Sequence, residues 1–422
     1  MKRGALAWLT VAAMSLAGCT SQNGIAERTL GVIALGADLP LTGGDGPDGT
    51  SAKNAIDLAV KQAGRVCGVS RHQDACFDLR AITFDDVLKG VHDPAQGAKN
   101  VELLAGDASV AAMIGPLYDS LAKSELPIAN AAHLAMISPA VTDECLTQEP
   151  PDGHCKGLAG RLRPRGPNNF FRVVTTQLVE GAAGADLAFK TLGKRRAFVI
   201  NDQTPFGLGI ATTFVDRFVA DGGTIVDPSD LGGFDPATSP SFGSRVRRAV
   251  GLAADVVYFA GADIYTAASL RREMVAQMPQ VPLIGSDRLA NDQFAKSAGA
   301  TARGSYYTVV GPHPASLREA QGFVADYQKR YGQTVGTYSV QAFDAANLLI
   351  AAIGRSIDDA GGQRPSRAQV LTAVTKTTAY SGAMGVMSFD SRGDTSLMVV
   401  SAYQWMADTE PTGRFAAQIT VT

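Results

Sequence analysis

The chain runs to 422 residues, 45% of them apolar, and its 38 basic side chains nearly balance 40 acidic ones. So even a balance gives no electrostatic footprint for nucleic acid or for an acidic lipid surface, and neither is expected as a partner. The length exceeds what one hydrophobic core usually organises, about 250–300 residues, so two lobes are expected.

Lys2 and Arg3 precede an apolar run over residues 4–16, which closes in Leu16-Ala17-Gly18-Cys19. A basic start, a short apolar stretch and small residues before a break mark an export signal. The run falls short of the roughly 20 apolar residues that a permanent membrane span needs. Leu-Ala-Gly-Cys resembles a bacterial lipobox, which implies removal of residues 1–18, lipidation of Cys19 and an extracytoplasmic chain tethered to a membrane. A plain secretory signal with an incidental cysteine is the alternative. Residues 19–29 then form a polar tether, and no later window has the apolar length of a spanning helix.

Beyond residue 30 the pattern is strand, loop, helix, repeated. Buried strands are predicted over 31–35, 81–84, 110–114, 135–137, 197–200, 256–259 and 282–284. Amphipathic helices are predicted over 51–62, 96–104, 121–132, 179–192, 208–220, 262–277 and 320–331, with later ones over 340–353 and 367–375. The chain ends in strand-like segments, 397–403 and 415–420. Short continuous apolar strands alternating with helices predict an α/β fold, with parallel sheets covered on both faces. Right-handed crossovers place the loops after the strands along one edge, where ligands bind.

Setting Cys19 aside leaves Cys67, Cys76, Cys145 and Cys155, an even number in an oxidising compartment. Four cysteines allow three pairings, and proximity favours Cys67–Cys76 and Cys145–Cys155. Each bridge would close a loop of about ten residues and stabilise by roughly 2.5–3 kcal/mol. Neither pair has metal-ligand spacing, so no metal is expected. No Gly-x-Ser-x-Gly elbow appears, and the five histidines are scattered. Gly207-x-Gly209 lacks the third glycine of a dinucleotide loop. The chain therefore reads as a non-enzyme without a cofactor.

Several segments in order resemble the branched-chain amino acid-binding proteins of ABC importers, the type I periplasmic binding fold. They are Leu39-Pro40-Leu41-Thr42-Gly43, Ile114-Gly115-Pro116, Met136-Ile137-Ser138-Pro139-Ala140-Val141-Thr142, and Asn201-Asp202 with Pro205-Phe206-Gly207. Asp255-Val256-Val257-Tyr258-Phe259-Ala260-Gly261, Leu283-Ile284-Gly285-Ser286-Asp287 and Tyr403-Gln404-Trp405 complete the set. The resemblance implies two lobes, each a parallel sheet flanked by helices, joined by three hinge crossings near Val173, Thr308 and Val386. The first lobe would be 30–172 plus 309–385, the second 173–308 plus 386–422.

In such proteins the first lobe holds the ligand carboxylate at helix N-termini. The resemblance carries this role to Thr142, with backbone contacts from Ala140 and Val141. Where a serine is usual this chain has Asp119, with Ser120 displaced by one. An ionised aspartate there would repel a carboxylate; alternatively Asp119 caps its helix and Ser120 takes the role. From the second lobe, Asp287 matches the acid that meets the ligand's ammonium, with a turn cap as the plainer reading. Phe206 matches an aromatic wall or packs in the core, and Tyr118 is a further aromatic candidate. Ala262 and Asp263 stand where a tyrosine is common. An acidic pocket of this kind points to a cationic or neutral polar ligand in place of a simple branched-chain amino acid.

The function implied is a lipid-anchored, monomeric solute-binding protein that captures a small molecule between its lobes and delivers it to an ABC permease. A ligand sensor of the same fold, read by a signalling partner, is the alternative.

Overall fold

The computed structural model describes Met1 and residues 29–149, 155–228, 233–234, 241–406 and 413–421. The expected export signal and Cys19 lie outside the described residues, apart from Met1.

Two sheets organise the chain. The first has six strands in the spatial order Arg65–Cys67, Cys76–Asp85, Val32–Leu39, Val110–Ile114, Ala135–Ser138, Phe170–Arg172. All run parallel except Arg65–Cys67, which pairs antiparallel with its neighbour. Leu35, Met113 and Ile137 are completely buried because helices cover both faces. On one face Gly46–Ala63 and Ser339–Asp359 pack through Ala52, Ala55, Ala59, Ala345 and Ala352. On the other, Pro94–Gly106 and Asp119–Ala131 bring Val101, Leu104, Ala122 and Leu126.

The second sheet has seven strands, ordered Thr224–Ile225, Arg196–Asn201, Val256–Ala260, Leu283–Gly285, Tyr306–Val310, Val399–Gln404, Arg414–Thr420. The first five are parallel and the last two antiparallel. Phe214 and Phe218 of Pro205–Ala220 fill one face, while Leu270 and Met274 of Ile264–Gln277 fill the other.

Each predicted strand overlaps an observed one, and the differences are local: strands expected from residues 31, 282 and 397 begin at Val32, Leu283 and Val399. The helix expected from residue 262 begins at Ile264, because the Asp263 carboxylate accepts the Tyr265 and Thr266 N–H groups as its N-cap. The helix expected over 179–192 is α-helical only over Gln177–Asp186 and widens into a π-turn over Leu187–Thr191. Arg65–Cys67 was not anticipated; three residues are too few for a period, and pairing with Cys76–Asp78 defines the strand. Both disulfides, Cys67–Cys76 and Cys145–Cys155, form as spacing favoured.

The crossing expected near Val386 is displaced. Val386 lies in a hairpin, Tyr380–Gly382 with Gly385–Met387, whose turn N–H groups at Ala383 and Met384 bind the buried Asp344 carboxylate. Met384 and Met387 belong to the first sheet's core. The chain joins the second sheet only at Val399.

Candidate functional site

The strands Val110–Ile114 and Leu283–Gly285 deliver their following loops to a shared cavity of about 480 Å³. That size suits a small metabolite. After the first of these strands Gly115 turns at φ +115°, with its missing Cβ replaced by the approach of the Asp38 carbonyl, a contact any side chain would block. The turn sets Tyr118 and Asp119 at the cavity wall.

Asp119 does not cap its own helix. Its Oδ1 accepts the backbone N–H groups of Thr142 (3.1 Å) and Asp143 (3.0 Å), and its Oδ2 faces Arg288 Nη2 at 3.4 Å. The protein's own carboxylate thus takes the donor at Thr142. Ala140 and Val141 donate instead to Ser138 Oγ, at 3.2 and 2.9 Å. Ala140, Val141 and Thr142 are buried behind Asp119 and do not form the cavity wall. Ser120 is exposed at its rim.

From the second sheet, Ser286 Oγ accepts the Arg288 N–H and opens a short turn, Asp287–Ala290. The Asp287 N–H donates to Glu180 Oε1 (2.8 Å), and Asp287 Oδ2 accepts the Tyr338 hydroxyl (3.3 Å). Burial pushes the Asp287 carboxyl up, against the opposing pull of Arg288. Glu180 is pushed up to about 8 by burial and the Asp287 charge.

Arg288 lines the cavity between groups delivered from both sheets. Its guanidinium lies 5.5 Å from the Tyr118 ring centre and 5.4 Å from that of Phe206, and its Nε is 3.7 Å from Asp287 Oδ1. Burial works against this charge, but Asp287 and Asp119 outweigh it and hold the group above the usual arginine range. Tyr118 stacks on His92 at 3.9 Å, and His92 Nδ1 sits 3.2 Å from Asp45 Oδ2. The His92 contact holds Asp45 below the usual carboxylate range, while burial and the Asp45 charge push Asp48 up to about 6.

Seven carboxylates line the cavity, those of Asp45, Asp48, Asp119, Asp143, Glu144, Asp263 and Asp287, against the cations Lys123 and Arg288. Phe206 and Ala262 contribute apolar wall, and Asp263 stands exposed beside them as a helix cap. Sequence reasoning missed Arg288, Asp45, Asp48, His92 and Tyr338. Arg288 adjoins the singled-out Asp287, and Asp45 lies two residues past the Leu39–Gly43 motif, so only proximity along the chain could have flagged them. Among the described residues one close group of metal-type donors exists, Glu144 with Cys145 and Cys155, and its two sulfurs are already joined.

A two-sheet fold with its cleft at the strand ends matches known proteins along its length. The family model described as periplasmic binding protein matches residues 32–417. The chain belongs to the periplasmic binding protein family. A Leu/Ile/Val-binding protein homologue of Brucella abortus is 23% identical over 375 residues, 88% of this chain and 90% of the relative. The leucine-binding protein LivK of Thermotoga maritima superposes with a TM-score of 0.69 at 21% identity, covering 92% of this chain and 99% of that one. A solute-binding protein of an ABC transporter from Rhodopseudomonas palustris, solved with 3,4-dihydroxybenzoic acid, gives 0.66 at 20% identity, covering 92% and 97%. The curated relative and the two solved structures share the fold of this chain over nearly its whole length.

Proposed function

We propose that this protein is anchored to a membrane by lipid on Cys19 and captures a small polar or cationic metabolite, an amino acid or related compound, for an ABC permease. The observation that carries this reading is the acid-rich cavity of about 480 Å³ at the adjoining ends of the two sheets. An amine entering it meets Asp287 and Asp48, with Tyr118, Phe206 and Ala262 as walls and Ser120 and Asp263 at the rim. Burial of the acids strengthens their attraction for a cation that brings its own charge. The names of the relatives and of the structural neighbours favour small organic solutes as cargo.

The working parts are two lobes, 30–172 with 309–387 and 173–308 with 399–422, residues 388–398 being the last crossing. Closure of one monomer around the solute, by contacts made only in the closed form, produces the state that the permease recognises.

Native mass spectrometry of the purified mature chain, followed by thermal-shift screening of amines, amino acids and polar metabolites, tests the proposal. Stabilisation by a cationic or polar compound supports it. A strong shift with leucine or valine and none with the others overturns the ligand assignment.

A further inference from the structure

The centre of the cleft is built as a cage for a cation, and the cation in it belongs to the protein. Two rings, Tyr118 and Phe206, flank the Arg288 guanidinium, and two carboxylates, Asp119 and Asp287, face it. Tyr118 and Asp119 follow a strand of the first sheet, whereas Asp287 and Arg288 follow one of the second, and Phe206 lies on a helix packed against that second sheet. The guanidinium therefore ties the two halves together. Its side chain is only 19% exposed, and its backbone is fixed in the turn capped by Ser286.

Resting on the proposed capture of a cationic solute, we propose that Arg288 is a tethered competitor for that solute: it fills the cation cage, draws the lobes together, and sets the specificity threshold of the cleft. An incoming amine or guanidine must displace it from the same rings and carboxylates. A side chain held beside its site competes at a high effective concentration. A bare cation therefore gains nothing over Arg288, and only a solute whose remaining polar groups reach other cavity residues, such as Asp48 or His92, binds. The arrangement selects multifunctional cations and rejects simple amines.

The test is chemical rescue with methylguanidine at millimolar concentration. Arg288→Gly empties the cage, and this variant is expected to bind methylguanidine at least about tenfold more tightly than the wild type, the scale of a desolvated cation–π contact plus an ion pair. Small-angle scattering should give a larger radius of gyration for Arg288→Gly than for the wild type, and methylguanidine should restore the smaller value. Asp119→Asn, which keeps Arg288 but weakens its hold on the first lobe, should also expand the molecule, and it decides the matter if the glycine variant does not fold. Equal methylguanidine affinity in wild type and Arg288→Gly, or unchanged radii in both variants, overturns the proposal. Rescue in a protein whose wild type captures no cationic solute leaves the cage standing and removes the ligand assignment. Capture of a cationic solute with equal affinity by wild type and Arg288→Gly does the reverse.

Discussion

Two buried charge clusters beside the first sheet face opposite chemistry. Arg172, fully buried, places Nε 2.7 Å from Asp394 Oδ1 and donates through Nη1 to the Asp143 carbonyl at 2.9 Å. Thr147 and Gln148 donate to the same aspartate. Burial works against the Asp394 charge, yet Arg172 and these donors outweigh it and hold the carboxyl below its usual range. Asp38 on the strand Val32–Leu39, Asp86 just after the neighbouring strand and Glu125 on the helix Asp119–Ala131 are just as buried, but other carboxylates dominate the charges acting on them. Burial pushes Asp38 up to about 7 and Asp86 up to about 8, with His92 opposing at Asp86, and Glu125 rises well above its usual range. Similar burial thus leaves one carboxyl below its usual range and the others above it; the presence of a partner cation decides. The cleft combines both regimes, since Asp119 and Asp287 share the single guanidinium of Arg288.

The largest effect is expected from removing the cation of the satisfied cluster. Arg172→Met strands Asp394 as a buried charge and should cost about 3–5 kcal/mol in urea unfolding. Asp394→Asn, which leaves no stranded carboxylate, should cost less. If Arg172→Met proves as stable as the wild type, the contrast drawn between the clusters fails.

The next effect is a pH dependence from the unsatisfied cluster. Below about pH 4 these acids are protonated whether the chain is folded or unfolded. As pH rises toward 8 the unfolded chain releases protons that folded Asp38 and Asp86 retain, so their contribution to stability falls across that window. Glu125→Gln should flatten the fall of melting temperature between pH 5 and pH 8 and leave the variant the more stable at pH 8, by about 1–3 kcal/mol. A steeper decline in the variant would contradict the assignment.

The smallest effects concern the shared cation site. Phe206→Ala, measured by calorimetry with a cationic solute found in the screen, should weaken binding about twofold to thirtyfold, the range of one cation–π wall. It should change the urea midpoint little, because Phe206 is only partly buried.

Much of the fold was legible from local pattern. Residues 110–114 and 256–259 read as continuous apolar runs, and both are central strands with every residue buried. The disulfides followed from short spacing, which makes local bridges cheap in chain entropy. The third crossing was not legible, because what keeps residues 380–387 on the first lobe is Asp344, about forty positions away, taking the turn N–H groups. At the site, Asp119, Asp287, Tyr118, Phe206, Ser120, Ala262 and Asp263 do meet at one cavity. The Thr142 motif gives no sign that Asp119, 23 positions earlier, takes its N–H.

Sequence alone determined the alternating α/β architecture and its two-lobe arrangement, since periodicity and turn residues act within a few positions along the chain. Tertiary structure alone decided which charges meet. The pair at the heart of the cleft, Asp119 with Arg288, is separated by 169 positions, and its strength depends on burial and distance that no local pattern encodes.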